Sequence, residues 1–255
     1  MAGARQWRCS VTPPRCAHRI LAVLKVELHT HTSDDPQDRI AHSTFALIDR
    51  AATLKFDALA ITLHDRQLDL APFASYAAER GVTLIPGIER TVEGRHVLLL
   101  NFPRGADEVR SFDDVRRLKR QCPGLVVAPH PFFPSRLCLL GCMNRHADLF
   151  DAVEYNAMFT ASLNFNVRAE RWARQHGLPM VGNGDVHLLE QLGTTYSLVD
   201  AERDPASICA AIAAAHVRVV SQPLSWPTAV SRITRLVASS HGWILPSPEP
   251  ARASM

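Results

Sequence analysis

The chain has 255 residues, 47% hydrophobic and 21% charged, which is enough apolar material for one large buried core and excludes a mostly disordered chain. Lys and Arg number 28 against 25 Asp and Glu, and a net charge of +3 is too small to draw the chain to nucleic acid or a membrane surface by itself. No run approaches the roughly 18 uncharged apolar residues of a membrane span. No clean apolar segment marks a signal peptide ahead of the first strand, so a cytoplasmic location is the default expectation.

In chain order, residues 1–19 are rich in Arg, Pro and Cys and read as a loose leader. A single domain is expected over 20–244 and a disordered tail over 245–255. The run ILAVLKVELHTH reads as a strand, STFALIDRAATLKF as a helix with Ser43 at its N-cap, and DALAIT as a short strand. APFASYAAERG reads as a helix stopped by Gly81, followed by strands VTLIPGIE and HVLLLNF. SFDDVRRLKRQ opens with Ser111 and Asp114 at capping-box spacing. LVVAP and AVEYN are strands, FNVRAERWARQHG is a helix stopped by Gly177, and PMVGN and YSLV are strands. A helix PASICAAIAAAH, a strand VRVV and a last helix PTAVSRITRLVASS complete the pattern. Repeated β and α units with short apolar strands predict an α/β fold with a mainly parallel sheet, closed as a barrel of seven or so units.

The chemistry-bearing residues are not scattered. His29 and His31 end the first strand, and strand side chains at i and i+2 share a face. His64 and Glu89 end the next strands, His96 begins another, and His130 ends a buried one. Asp185 and His187 form a second i, i+2 pair in GNGDVH. Each position alone fits a satisfied loop or core residue. Together they predict a gathering of imidazoles and carboxylates at one barrel mouth, where such groups are costly to bury unless they share a ligand. Imidazole with carboxylate suits zinc, manganese or iron. The six cysteines include no C-x-x-C pair and read as buried or incidental thiols. No G-x-S-x-G or G-x-x-x-x-G-K-[ST] motif is present. Phe132, Phe133, Phe165 and Trp172 read as core aromatics, with the wall of a base-binding pocket as the alternative.

The segments ELHTHTSDD, AITLHD, PGIE, APHP and GNGDVH occur in an order that resembles the PHP (polymerase and histidinol phosphatase) family, over roughly residues 24–200. The resemblance implies a distorted seven-stranded (β/α) TIM-like barrel, two or three divalent metal ions and phosphoester hydrolysis. Carried over by position, His29, His31, Glu89 and Asp185 would hold a first ion, and Glu89, His96 and His130 a second. His64 and His187 would hold a third with a residue of the first loop: Asp34 is favoured, with Asp35 and His42 as alternatives. Two positions depart from the family pattern, Pro36 in the first loop and Leu63 before His64.

The implied reaction is hydrolysis of a small phosphorylated substrate, a monoester or nucleotide, by hydroxide formed at the metal centre. Glu89, Asp185 and His130 would carry it, and Arg66, with Arg90, would meet the phosphate. An amidohydrolase-type barrel is one alternative, though such barrels often use a carbamylated lysine and this chain has only Lys25, Lys55 and Lys119. A non-catalytic metal-binding module is the other. Nucleic acid is the less expected partner, and the oligomeric state leaves no readable trace.

Overall fold

The computed structural model describes residues 22–103 and 105–240, so the expected leader and tail lie outside the described residues. Among the described residues, nine strands form one sheet: β1 (Ala22–Glu27), β2 (Ala58–Ile61), β3 (Thr83–Val92), β4 (Arg95–Leu100), β5 (Leu125–Ala128), β6 (Ala152–Asn156), β7 (Met180–Asn183), β8 (Thr195–Ala201) and β9 (Val217–Ser221). Their order is β7-β6-β5-β4-β3-β2-β1-β8-β9. Past their named ends, β1 and β7 meet in a parallel bridge between Thr30 and Val186. His31 N donates to Val186 O and Val186 N to His29 O, both at 3.0 Å, so the sheet curls into a nearly closed barrel. The helices are α1 (Thr44–Thr53), α2 (Ala74–Glu79), α3 (Phe112–Gln121), α4 (Cys142–Arg145), α5 (Asn166–His176), α6 (Pro205–Ala213) and α7 (Trp226–Ser240). None in the described residues is long and apolar enough to cross a membrane.

The sheet is less parallel than expected. β1–β2, β2–β3, β5–β6 and β6–β7 pair parallel. β3–β4, β4–β5, β1–β8 and β8–β9 pair antiparallel. For β3 and β4 the cause lies in the connection, because a parallel crossover needs a dozen or more residues whereas a hairpin needs two. Between β3 and β4 stand only Glu93 and Gly94, both at positive φ (48° and 76°), the geometry of a tight hairpin turn. β4 therefore runs backwards, and its first residues reach the mouth that β2 and β3 reach with their last.

Local signals account for most helix boundaries. The Ser43 side chain accepts from Ala46 N at the start of α1, a cap contributing about 1 kcal/mol. Ser111 and Asp114 form the reciprocal capping box of α3. Gly177 ends α5 at φ 67°, a left-handed conformation open to glycine. The helix expected from residue 71 instead begins as a 3-10 turn, Ala71–Phe73, before α2 takes over.

One core cluster lines the inside of the barrel and places the site. It takes Ala58 and Ala60 from β2, Ile85 from β3, Leu98 and Leu100 from β4, and Ala152 from β6. Each stands an even number of residues from a polar group nearer the mouth: His64, Glu89, His96 and Glu154. The pleat puts apolar floor and polar mouth on one face. Ile208 and Ile212 of α6 join the same cluster and seal the opposite end.

Candidate metal centre

Glu89 is the centre of the polar mouth. Its Oε1 lies 2.7 Å from His96 Nδ1 and 3.0 Å from His130 Nε2. Its Oε2 lies 3.2 Å from His29 Nε2, 3.3 Å from His31 Nε2 and 3.2 Å from His64 Nε2. Asp185 closes the ring, with Oδ1 3.4 Å from His29 Nε2 and 3.4 Å from His187 Nδ1. The structure thus gathers His29, His31, His64, Glu89, His96, His130, Asp185 and His187 into one cluster.

The remaining sequence candidates sit elsewhere. Asp34 turns its Oδ2 to the hydroxyls of Thr32 and Thr44, at 3.3 and 3.0 Å. His42 Nε2 donates to the backbone oxygen of His31 at 2.9 Å and braces the loop. Arg66 is exposed, donates to Asp34 O at 3.1 Å and is not among the residues lining the cavity. Arg90 is buried but committed to Val109 O and the Asp65 carboxylate. Leu63, one of the two departures from the pattern the sequence resembles, packs in the core beside α1 and α2.

Two first-loop carboxylates face the cluster instead. Asp35 Oδ2 accepts from His31 Nδ1 and His64 Nδ1, both at 3.0 Å, and so turns both Nε2 atoms toward Glu89. Its Oδ1 accepts from the backbone N–H of Gln37 and Asp38, at 2.9 and 3.0 Å. That turn, with Pro36 inside it, folds Asp38 back until its Oδ2 lies 3.1 Å from His187 Nε2. Sequence reading missed Asp38; the Asp-Pro dipeptide was the available signal for a turn that returns the next acidic residue to the site.

Glu27 and Glu154 were also missed. Glu154 Oε1 accepts from His29 Nδ1 at 2.8 Å and Asn183 Nδ2 at 3.0 Å, and its Oε2 accepts from His130 N at 2.6 Å. Glu27 accepts from the backbone N–H of Leu28, His29 and Gly184 and ties β1 to the start of the Asp185 loop. A Cβ on Gly184 would stand 2.7 Å from Val186 and 3.1 Å from Glu27, so glycine is required for this close approach. A lone acid inside an apolar strand, as in VLKVEL and AVEYN, was the signal for both.

The donor set fits metal ions. His29 Nε2, His31 Nε2, His96 Nε2 and Asp185 Oδ1 are buried with no hydrogen-bond partner among the described residues. Buried polar atoms left this way cost free energy unless a ligand meets them. Four overlapping triads bring donor atoms within 4.8 Å of one another: His29–His31–Glu89, His64–Glu89–His96, His29–His130–Asp185 and His31–His64–His187. His130 and Asp185 both hold positive φ, 28° and 49°, backbone strain of the kind that collects at functional sites.

Charge follows the geometry. Burial alone would push the Glu89 carboxyl up, but His96, His29, His64 and His130 hold it well below its usual range. Burial likewise opposes ionisation of Asp185, and His29, His187 and His130 outweigh it. Burial disfavours the imidazolium of His64, yet Glu89 and Asp35 raise it to about 10; Asp185 and Asp38 raise His187, against burial, to about 9. Burial pushes the Glu27 carboxyl up to about 8.

A sign follows for the metal-free protein. Groups with raised folded values contribute stability that is fully present below their unfolded values and lost as pH rises through the folded ones. For His64 and His187 the loss runs from about 6.5 to 9–10. Glu27 adds a loss between 4.5 and about 8. The chelated protein is therefore expected to melt lower at pH 9 than at pH 6.5, and a flat profile by differential scanning calorimetry would contradict these shifts.

Above the cluster opens a cavity of about 400 Å³. Phe133 and Phe165, read as core aromatics, line it, whereas Phe132 and Trp172 pack in the core. Cys138, Cys142 and Cys209 are free and buried.

Residues 164–217 match the family described as PHP-associated. The fold is shared with PsfC from Pseudomonas syringae PB-5123, at 19% identity, with 86% of this chain and 96% of that one covered and a TM-score of 0.53. It is shared with an amidohydrolase from Chromobacterium violaceum, solved with sulfate and no metal, at 16% identity, with 81% and 96% covered and a TM-score of 0.52. The lesion-specific endonuclease PfuEndoQ from Pyrococcus furiosus aligns at 14% identity, with 91% and 74% covered and a TM-score of 0.53. No curated protein sequence matches the chain. The family match is confined to residues 164–217, and the likeness to these solved structures, all below 20% identical, shows a shared barrel fold.

Proposed function

We propose that the protein is a metal-dependent phosphoesterase that hydrolyses a small phosphate monoester or nucleotide. The observation that carries this reading is the divided carboxylate of Glu89, with Oε1 toward His96 and His130 and Oε2 toward His29, His31 and His64. A carboxylate placed between two imidazole sets suits a bridge between two ions. His29, His31, Glu89 and Asp185 would hold one, and Glu89, His96 and His130 the other. His64 and His187 would hold a third with Asp38, while Asp35 orients His31 and His64.

Divalent ions there would act as Lewis acids toward a phosphoryl oxygen and lower the pKa of a water from 15.7 to about 7. The chain's own part is orientation. Glu154 fixes the proton of His29 on Nδ1 and leaves Nε2 free, and Asp35 does the same for His31. Asn156 Nδ2 donates to Asp185 Oδ2 at 3.2 Å and leaves Oδ1 aimed into the cluster.

The amidohydrolase alternative gains nothing from the lysines. Lys25 donates to Leu54 O beside Phe56 and Tyr196, Lys119 binds Leu149 O and Asp151, and Lys55 is the turn residue after α1.

The test is phosphate release by protein reconstituted with Mn, Zn or Fe, over monoesters, nucleoside mono- and bisphosphates and short oligonucleotides. Release is expected to vanish on chelation and in His130→Ala, with the far-UV spectrum of that variant unchanged. Silence across the panel with metal content verified would overturn the reading and favour a non-catalytic metal module.

A further inference from the structure

The metal-ligating residues form only the floor of the cavity; its walls have a different chemistry. The segment after β5 contributes Phe133 and Leu137, the segment after β6 contributes Met158 and Phe165, and α7 contributes Trp226 and Ile233. The Phe133 and Phe165 rings lie 5.3 Å apart across two segments, and Phe133 lies 6.5 Å from the ring of His130. The third wall is anchored: Trp226 Nε1 donates to Ser162 Oγ at 3.1 Å, and Leu224 N to Phe159 O at 2.8 Å. The apolar walls thus begin directly above the ligands and are braced against one another. Neither Lys nor Arg is among the described residues that line the cavity.

We propose that the substrate is a phosphate ester whose alcohol part is apolar and ring-bearing and carries no second phosphate. This rests on the phosphoesterase reading for the phosphate end and on the cavity walls for the other end. A phosphoryl group held at the floor leaves its ester substituent between Phe133, Phe165 and α7. A ring there gains burial and aromatic contact. A second phosphate between those walls would be desolvated against phenylalanine and leucine with no Lys or Arg partner among the described lining residues. The volume, about 400 Å³, suits a small ligand of this kind.

Calorimetry on the metal-reconstituted full chain separates the two ends. The probes are 3-phenylpropylphosphonate, 3-hydroxypropylphosphonate and propane-1,3-bisphosphonate, none of which can be hydrolysed. The phenyl probe is expected to bind at least about tenfold tighter than either other probe. Phe165→Ala, and separately the exposed-wall variant Leu137→Ser, should narrow that gap by weakening the phenyl probe more than the hydroxypropyl probe. Equal or tighter binding of the hydroxyl or bisphosphonate probe would overturn the proposal, as would a preference that survives both variants. Phosphate release from 3-phenylpropyl phosphate is measured alongside. No release with the preference intact would overturn the phosphoesterase reading and leave the ligand class standing.

Discussion

Glu89→Gln is expected to lower kcat/KM for phosphate release by at least about a thousandfold, equivalent to about 4 kcal/mol of transition-state stabilisation. The substitution keeps the shape of the side chain and removes its charge. His29, His31, His64, His96 and His130 all face that carboxylate within 3.3 Å. An amide offers one acceptor oxygen where two are used, and its NH2 would point at imidazole nitrogens needed for metal. Two ions would lose a shared anionic ligand at once, so metal content should fall together with turnover. Mass spectrometry of the purified variant gives the metal-to-protein ratio, and steady-state kinetics gives the rate. Full metal content with wild-type kcat/KM in Glu89→Gln would remove the carboxylate from the centre of the site.

The barrel was legible because each strand announces itself by a short apolar run, and the runs repeat with helical segments between them. What misled was direction. A strand's periodicity is the same whichever way it runs, so alternation alone predicts a mainly parallel sheet. The contrary signal was the two-residue gap at Glu93 and Gly94, which leaves no room for a crossover. The reversal of β4 also explains why His96 stands at a strand's beginning while His64 and Glu89 stand at strand ends, yet all three meet.

The site was legible where strand geometry dictates side-chain direction and illegible where loop geometry does. The His29–His31 and Asp185–His187 pairs follow from the i, i+2 rule. No periodicity ranks Asp34, Asp35 and Asp38, because their directions depend on a turn closed by the Asp35 side chain on its own backbone. Sequence proximity to His64 suggested Arg66, but the residue after Asp65 leaves the barrel and its guanidinium bonds to the loop carbonyl of Asp34. The phenylalanines show the same limit. Phe132 and Phe133 are neighbours in sequence, yet one is core and the other lines the cavity.

Glu154→Gln is expected to weaken metal binding by about 10–100-fold, the range found when the outer partner of a ligating histidine is removed. Glu154 is fully buried and touches no cavity space, so a loss of affinity would come through the residues it holds. One oxygen accepts a hydrogen bond from His29 Nδ1 at 2.8 Å, and the other accepts from the backbone N–H of His130 at 2.6 Å. The first contact selects the His29 tautomer that presents Nε2 to the cluster. The second steadies a histidine whose backbone sits at φ 28°. In the glutamine variant one of those acceptors becomes an NH2 donor. If it faces His29, the ring must turn or change tautomer; if it faces His130, two donors oppose each other. Competition with a chromophoric chelator measures the affinity, and NMR of the imidazole nitrogens reports the His29 tautomer. A variant with wild-type affinity and an unchanged tautomer would show that the barrel wall alone positions His29. Loss of affinity accompanied by a tautomer change would place metal selection partly in a carboxylate that never meets the metal.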